Sequence, residues 1–218
     1  MAREKYKDSF WLSYSDLMTS LFFIMLVLFI VCIGKMKYDK DSITAEKEQL
    51  EQILQLETQF EELGKSSALQ YIEEKKMFVA KDFIGIEIFN PLDYKILPQF
   101  IPTVDSVGQS LQEVVRRLHY KNPNLNFQLI IEGNAAIPWR ELRDHSYNPD
   151  NVWMYELSYH RALALYQRWL SKGVDLRHYN TEVIIAGSGF NGINRDNKIE
   201  ENNKRFIIQI IPKVSRPK

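Results

Sequence analysis

Between Leu17 and Ile33 the chain carries no charged side chain, and only Thr19, Ser20 and Cys32 interrupt an otherwise apolar run. Such a run favours a bilayer-crossing helix, because a helix satisfies its own backbone donors and acceptors where no water is present. Counted from Phe10 to Ile33 it holds 24 residues, about 36 Å at 1.5 Å per residue. That length crosses a hydrocarbon core of about 30 Å with some tilt. A cleavable signal peptide competes, since the start is short and basic through Arg3, Lys5 and Lys7. Against it, the run exceeds a usual signal core of about 7–15 residues, and the sequence from Cys32 to Lys37 is a poor small-x-small cleavage site. An uncleaved anchor over residues 10–34, after a short segment 1–9, is therefore expected. Lys35, Lys37, Lys40 and Lys47 follow the run, so basic residues flank both sides and the positive-inside count leaves its orientation open.

The balance of 28 basic and 28 acidic side chains over 218 residues hides an asymmetry. Residues 1–38 carry five basic and three acidic groups, residues 39–75 four and ten, and residues 76–218 nineteen and fifteen. No basic excess collects phosphates, which argues against a nucleic-acid partner. Cys32 is the only cysteine, so an intrachain disulfide or a cysteine-rich metal site is impossible. His119, His145, His160 and His178 lack the close spacing of a zinc site. No catalytic triad, phosphate loop or cofactor motif is visible, so neither an enzyme nor a cofactor or metal is expected.

From Met36 to Leu63 there is neither glycine nor proline, and the composition predicts helix. Ile53, Leu56, Phe60 and Leu63 follow the 3, 4, 3 rhythm of a coiled coil, and Ile43 and Leu50 lie seven apart. Two readings fit: a dimerising stalk over residues 35–75, or an amphipathic helix packed on the following domain. Gly64 to Ser67 reads as a helix stop. Residues 76–218 read as an α/β unit. Strands are expected at Phe83–Phe89, Leu125–Glu132, Thr181–Ala186 and Arg205–Ile211, and helices at Val104–Tyr120 and Trp153–Leu170. The order β-α-β-α-β-β places two helices against one mixed sheet, and about 140 residues suffice for a core.

Asp16 is the costly residue. It lies about one and a half turns inside the segment counted from Phe10 and is its only acidic side chain. An ionised carboxylate at the centre of a bilayer costs about 2.5–3.5 kcal/mol on insertion scales, and such groups usually face a protein interior or a water-filled path. Facing a cavity, it would have a raised pKa and could carry a proton, with Ser15 and Thr19 near the ion path. Alternatively, Asp16 sits at headgroup level as a helix cap, beside the interfacial aromatics Trp11 and Tyr14.

The segment Phe10-Trp11-Leu12-Ser13-Tyr14-Ser15-Asp16-Leu17-Met18-Thr19 resembles the N-terminus of MotB-type stator subunits of ion-driven motors, in which an Asp at this point carries the ion. Its wording is closer still to the MotB-like subunits (ZorB) of Zorya anti-phage defence systems. Three further stretches resemble the OmpA-like peptidoglycan-binding domain: Leu157-Ser158-Tyr159-His160-Arg161-Ala162, Gly187-Ser188-Gly189, and Asn203 to Ile208. The resemblance implies an inner-membrane, single-pass subunit with its N-terminus cytoplasmic and its α/β domain periplasmic. It also implies a homodimer within a ring of multi-span MotA-like or ZorA-like partners, proton-driven through Asp16. Arg161 would bind a stem-peptide carboxylate of peptidoglycan, with Leu157 in the same motif and Trp153 packing on the ligand; a structural Arg paired within its own domain is the alternative. A flagellar MotB-type stator and a passive wall anchor are the rival functions. The chain departs from the family at Gly133-Asn134-Ala135-Ala136, where the family has an acid. Asp144 and Asp150, from the insertion-like stretch Ile137–Asn151, are candidates to return an acid to the site.

Overall fold

The computed structural model describes residues 2–65, 68–90, 92–192 and 194–213. The chain forms two units, Met1–Gln52 and Ile53–Ser215. Helix α1, Ala2–Lys65, starts in the first and ends in the second. No proline occurs before Pro91, so nothing in the chain chemistry breaks this helix. Within it, Trp11–Thr44 is long and apolar enough to cross a membrane, and every side chain in that span is exposed.

The second unit is built on a five-stranded mixed sheet ordered β1-β2-β5-β3-β4. Strands β1 (Leu69–Ile72) and β2 (Met77–Ala80) form an antiparallel hairpin. Helix α2 (Ile101–Lys121) follows, then β3 (Asn126–Gly133), the short α3 (Trp139–Arg143), α4 (Val152–Ser171), β4 (Thr181–Gly187) and β5 (Phe206–Lys213). β3 and β4 are parallel, as their connection through α4 requires. The central β5 is antiparallel to β2 and to β3.

Periodicity explains most of these elements. Phe127, Leu129 and Ile131 alternate inward along β3, and α2 buries Val104, Val107, Leu111, Val114, Val115 and Leu118 on one stripe. α4 buries Leu157, Arg161, Leu165 and Trp169 among others, and starts where the Asn151 side chain accepts the amide of Trp153 at 3.1 Å. The two helices meet at Gly108, where an added Cβ would lie 2.3 Å from Trp169. There the Trp169 indole N–H donates to the Val104 carbonyl at 2.8 Å, and Arg168 grips Asp105 through two 2.7 Å bonds.

The fold class expected from the sequence is present: a long apolar N-terminal helix followed by helices on a mixed sheet. Its first strand lies elsewhere. Phe83–Phe89 is not a strand: Lys81–Phe83 is a 3-10 turn, Gly85 takes φ +73°, and one bridge joins Phe89 to Ile96. A left-handed glycine stops the extended ladder. The sheet instead begins at Leu69, so the folded unit starts upstream of residue 76, and residues 69–75 are strand and 3-10 turn rather than stalk helix.

The stalk seam is also corrected. Leu56, Phe60 and Leu63 are buried in the core of this unit with Leu69 and Phe78, and the Phe60 ring lies 5.5 Å from Tyr71 and 5.7 Å from Phe78. Their 3–4 spacing makes a helical stripe, and the stripe packs on the hairpin of the same chain. Ile43 is exposed; the side chains of Leu50 and Ile53 lie outside the described residues.

Candidate functional site

Asp16 lies in the exposed apolar part of α1, with Ser15 adjacent and Thr19 one turn on. The Thr19 hydroxyl donates to the Ser15 carbonyl at 2.7 Å. Its hydrogen is thereby committed to the helix backbone, and only its lone pairs stay available to a passing ion or water. Trp11 and Tyr14 meet edge to face at 6.2 Å one turn before the acid. In this chain Asp16 is the only acid between Trp11 and Tyr38.

A second site forms around Arg161. The side chain is 6% exposed, and close helix–sheet packing puts it there. Gly133 and Gly187 pair across β3 and β4. A Cβ on Gly133 would lie 2.0 Å from the Ser158 carbonyl, and one on Gly187 2.4 Å from the Tyr159 amide. The paired glycines let α4 settle onto the strand ends. The Ser158 hydroxyl accepts the Gly189 amide at 3.0 Å and donates to the Tyr155 carbonyl at 2.9 Å. One turn later, Arg161 is aimed at the loop after Phe89.

That loop holds one edge of the guanidinium. Nε donates to the Asp93 carbonyl at 3.0 Å, Nη2 to the Asn90 carbonyl at 3.3 Å, and the Phe89 ring centroid lies 5.2 Å from the charge centre. Among the described residues, Nη1 takes no hydrogen bond. Burial lowers the Arg161 pKa, while Glu87 and Asp93 oppose that shift; an Arg remains cationic regardless.

Arg161 borders a cavity of about 340 Å³, shared with Leu92, Trp139, Met154, Leu157 and the acids Glu87, Glu200 and Glu201. Leu92 takes φ +55° at its rim, a conformation costly for a non-glycine residue. The Lys204 ammonium lies 3.2 Å from Glu87. Glu200 is paired with Arg195 and accepts the Ile137 amide at 2.6 Å. The Glu201 carboxylate has no hydrogen-bond or ion-pair partner among the described residues. A cavity with a fixed guanidinium and unneutralised carboxylate suits a ligand carrying both a carboxylate and an ammonium group. With the Nε edge occupied, a carboxylate meets Nη1 and the outer hydrogen of Nη2 end-on.

The structure brings Leu157 and Arg161 together and leaves Trp153 out. Trp153 is 46% exposed and does not border the cavity. Eight residues of helix turn it about 80° away from Arg161 at 100° per residue, whereas Met154, Leu157 and Arg161 follow the 3–4 rhythm. Asp144 pairs with Arg143 at 2.8 Å, and Asp150 accepts from Asn191 at 3.3 Å; neither borders the cavity. The acids there are Glu87, Glu200 and Glu201, which sequence reasoning missed. The Glu200-Glu201 doublet just before Asn203-Lys204-Arg205 was the available signal.

No family model and no curated protein matches the chain. Several solved structures are similar to it. The periplasmic domain of Helicobacter pylori MotB matches at 14% identity and a TM-score of 0.39, over 66% of this chain and 79% of that one. A putative MotB like protein from Desulfovibrio vulgaris matches at 14% identity and 0.38, over 75% and 93%. An outer membrane protein from Borrelia burgdorferi matches at 18% identity and 0.34, over 56% and 80%.

Proposed function

We propose that this chain is a membrane-anchored subunit of an ion-driven, stator-type motor that grips peptidoglycan, with a role in a Zorya-type anti-phage system. The observation that carries the reading is Asp16, the one acid between Trp11 and Tyr38 in a stretch otherwise suited to lipid. A membrane-crossing tether has no need of it, and at bilayer depth its cost demands a protein or aqueous partner. Each proton passing it across 100 mV releases about 2.3 kcal/mol, enough to bias a rotational step. The partner is a ring of multi-span MotA-like or ZorA-like subunits around a homodimer of this chain, with Ser15 and Thr19 lining the ion's route. The Arg161 cavity takes a stem-peptide carboxylate, and Glu201 supplies the anionic counterpart for the ligand's amino group. Wall attachment holds the subunit still, with the α/β unit on the periplasmic side, so that ion flow does work on the ring. The wording around Asp16 favours the defence role over a flagellar one.

The test is Asp16→Asn, which keeps size and removes the titratable proton. Expression, membrane insertion and copurification with the ring partner are expected to persist, while phage protection is lost. Full protection by the Asn variant leaves a passive wall anchor. Restored swimming in a stator-deleted strain, without phage protection, assigns the chain to a flagellar motor instead.

A further inference from the structure

Strand β4 ends the sheet on one side, with β3 as its single strand neighbour among the described residues. Its register with β3 runs unbroken from Thr181 to Gly187, with no bulge, and it carries neither proline nor lysine. Those are the devices that usually guard an edge, because a bare edge offers a row of unpaired amides and carbonyls to another strand. The one charge of β4, Glu182, is drawn to Lys213 of the same sheet. From Val183 to Gly187 every residue is half-buried, and Val183 and Ile185 are only partly covered by the core they pack against.

Helix α4 extends this apolar edge. Val152, Tyr159 and Leu170 are 68%, 40% and 48% exposed, and Leu163 is half-buried. Spacings of 7, 4 and 7 residues put the four within about 20° of one line at 100° per residue. The line follows the flank of α4 that lies over β4, where a Cβ on Gly187 would meet the Tyr159 amide. No charged residue falls on it, but its two halves are flanked by opposite charges. Glu156 stands exposed beside the first half, and the Arg177 guanidinium lies 5.8 Å from the Tyr166 ring beside the second. Among the described residues neither is ion-paired.

We infer that two copies of the chain join along the β4 edge and this outer flank of α4. The inference rests on the homodimer of the reading above and gives it a seam, since the Leu56–Phe60–Leu63 stripe is spent in the chain's own core. A two-fold axis normal to the sheet sets the two β4 edges antiparallel, and their free backbone groups pair to fuse two five-stranded sheets into one. The two α4 helices then lie side by side on one face, also antiparallel, stripe against stripe. The first half of each helix meets the second half of the other, so Glu156 of one copy approaches Arg177 of the other, twice per dimer. A parallel arrangement would instead set Glu156 against Glu156. The charges therefore select the second copy and its direction, while the apolar stripe supplies the contact area.

The experiment uses the full chain in detergent, with Cys32 changed to serine for crosslinking. A cysteine at Leu163, near the middle of the stripe and hence near the axis, is expected to crosslink to its own image far more than one at Tyr120, exposed on α2. Glu156→Arg sets like charges together and is expected to weaken dimerisation, followed by light scattering on dilution, about three- to thirty-fold, because the exposed contact occurs twice. Adding Arg177→Glu is expected to restore it, a rescue that a folding defect does not imitate. A dimer with equal crosslinking at Leu163 and Tyr120, or with the same affinity in wild type and Glu156→Arg, overturns this seam and leaves the homodimer standing. A chain that stays monomeric at every concentration overturns both. Protection of the Leu163 cysteine from maleimide in native membranes, with the purified chain monomeric, assigns the face to a different protein and likewise overturns the seam.

Discussion

Arg161 serves the fold as well as the cavity, and substitutions should separate the two uses. Its bonds to the Asn90 and Asp93 carbonyls tie the loop after Phe89 to α4. Arg161→Ala therefore removes two charge-assisted hydrogen bonds to part-buried carbonyls, a loss of about 1–3 kcal/mol, visible as a lower midpoint in urea denaturation together with lost peptidoglycan sedimentation. Arg161→Lys keeps the charge but not the fork, so it should recover some stability and little binding. Equal stability of wild type and the Ala variant would refute the loop-holding role. Glycine identity matters as much beneath Ser158. Gly133→Ala puts a methyl group 2.0 Å from the Ser158 carbonyl, which forces α4 off the strand ends. We expect about 1–3 kcal/mol of destabilisation and, because Arg161 moves with α4, weaker wall binding. A Gly133→Ala chain with wild-type stability and binding would show that the helix has room to shift.

Among the elements, the end of α1 behaves as a core helix. Phe60→Ala is expected to cost about 3–5 kcal/mol, read from the denaturation midpoint, whereas a mere solvent-facing stalk residue would cost far less. Single cysteines at Leu56, Phe60 or Leu63, with Cys32 changed to serine, should crosslink no better than cysteines at Glu57 or Glu61, because the apolar positions face their own domain. Preferential crosslinking at Leu56 and Phe60 would restore a dimer seam. The loop between β4 and β5 depends on Asp196, whose carboxylate accepts from the Asn202 side chain at 2.7 Å and from the Lys198 and Ile199 amides at 2.8 and 3.0 Å. Those bonds hold its pKa far below the usual carboxylate range, with Asn202 the largest cause. A depressed folded-state pKa gives stability that is fully present above the unfolded value of about 3.9 and lost as pH falls toward the folded value. Stability should therefore decline below about pH 4, and Asp196→Asn should show a shallower acid decline when unfolding is followed across pH 2–6. An unchanged acid limb would remove Asp196 from the account.

At the scale of the whole molecule, the boundary of the folded unit is the decisive prediction. A fragment beginning at Ile53 retains Leu56, Phe60, Leu63 and the β1–β2 hairpin, and should be folded and cooperative in thermal melts. One beginning at Lys76 loses them and uncovers Phe78, so it should aggregate or melt without a transition; a cooperative melt from the shorter piece would disprove the shared core. The residue-76 boundary assigned everything up to Lys75 to the stalk, although the helix stop at Gly64 to Ser67 lies well before it. Leu69–Ile72 instead pairs with Met77–Ala80 through a tight turn, with Lys76 at φ +49°. What the sequence determined by itself was whatever neighbouring residues enforce: the apolar span, the position of Asp16 within it, the stripes of α2 and α4, and the inward alternation of β3. These follow from the 3.6- and 2-residue repeats and from the backbone's need for internal bonds in lipid, all local constraints. Tertiary structure alone decided which surface the Leu56–Phe60–Leu63 stripe meets, that Gly85 ends a strand-like run, and that Glu87, Glu200 and Glu201 join Arg161 at one cavity. Those acids stand 39 to 74 residues from Arg161 in the chain, and only chain closure through the sheet brings their charges together, a juxtaposition that no local repeat encodes.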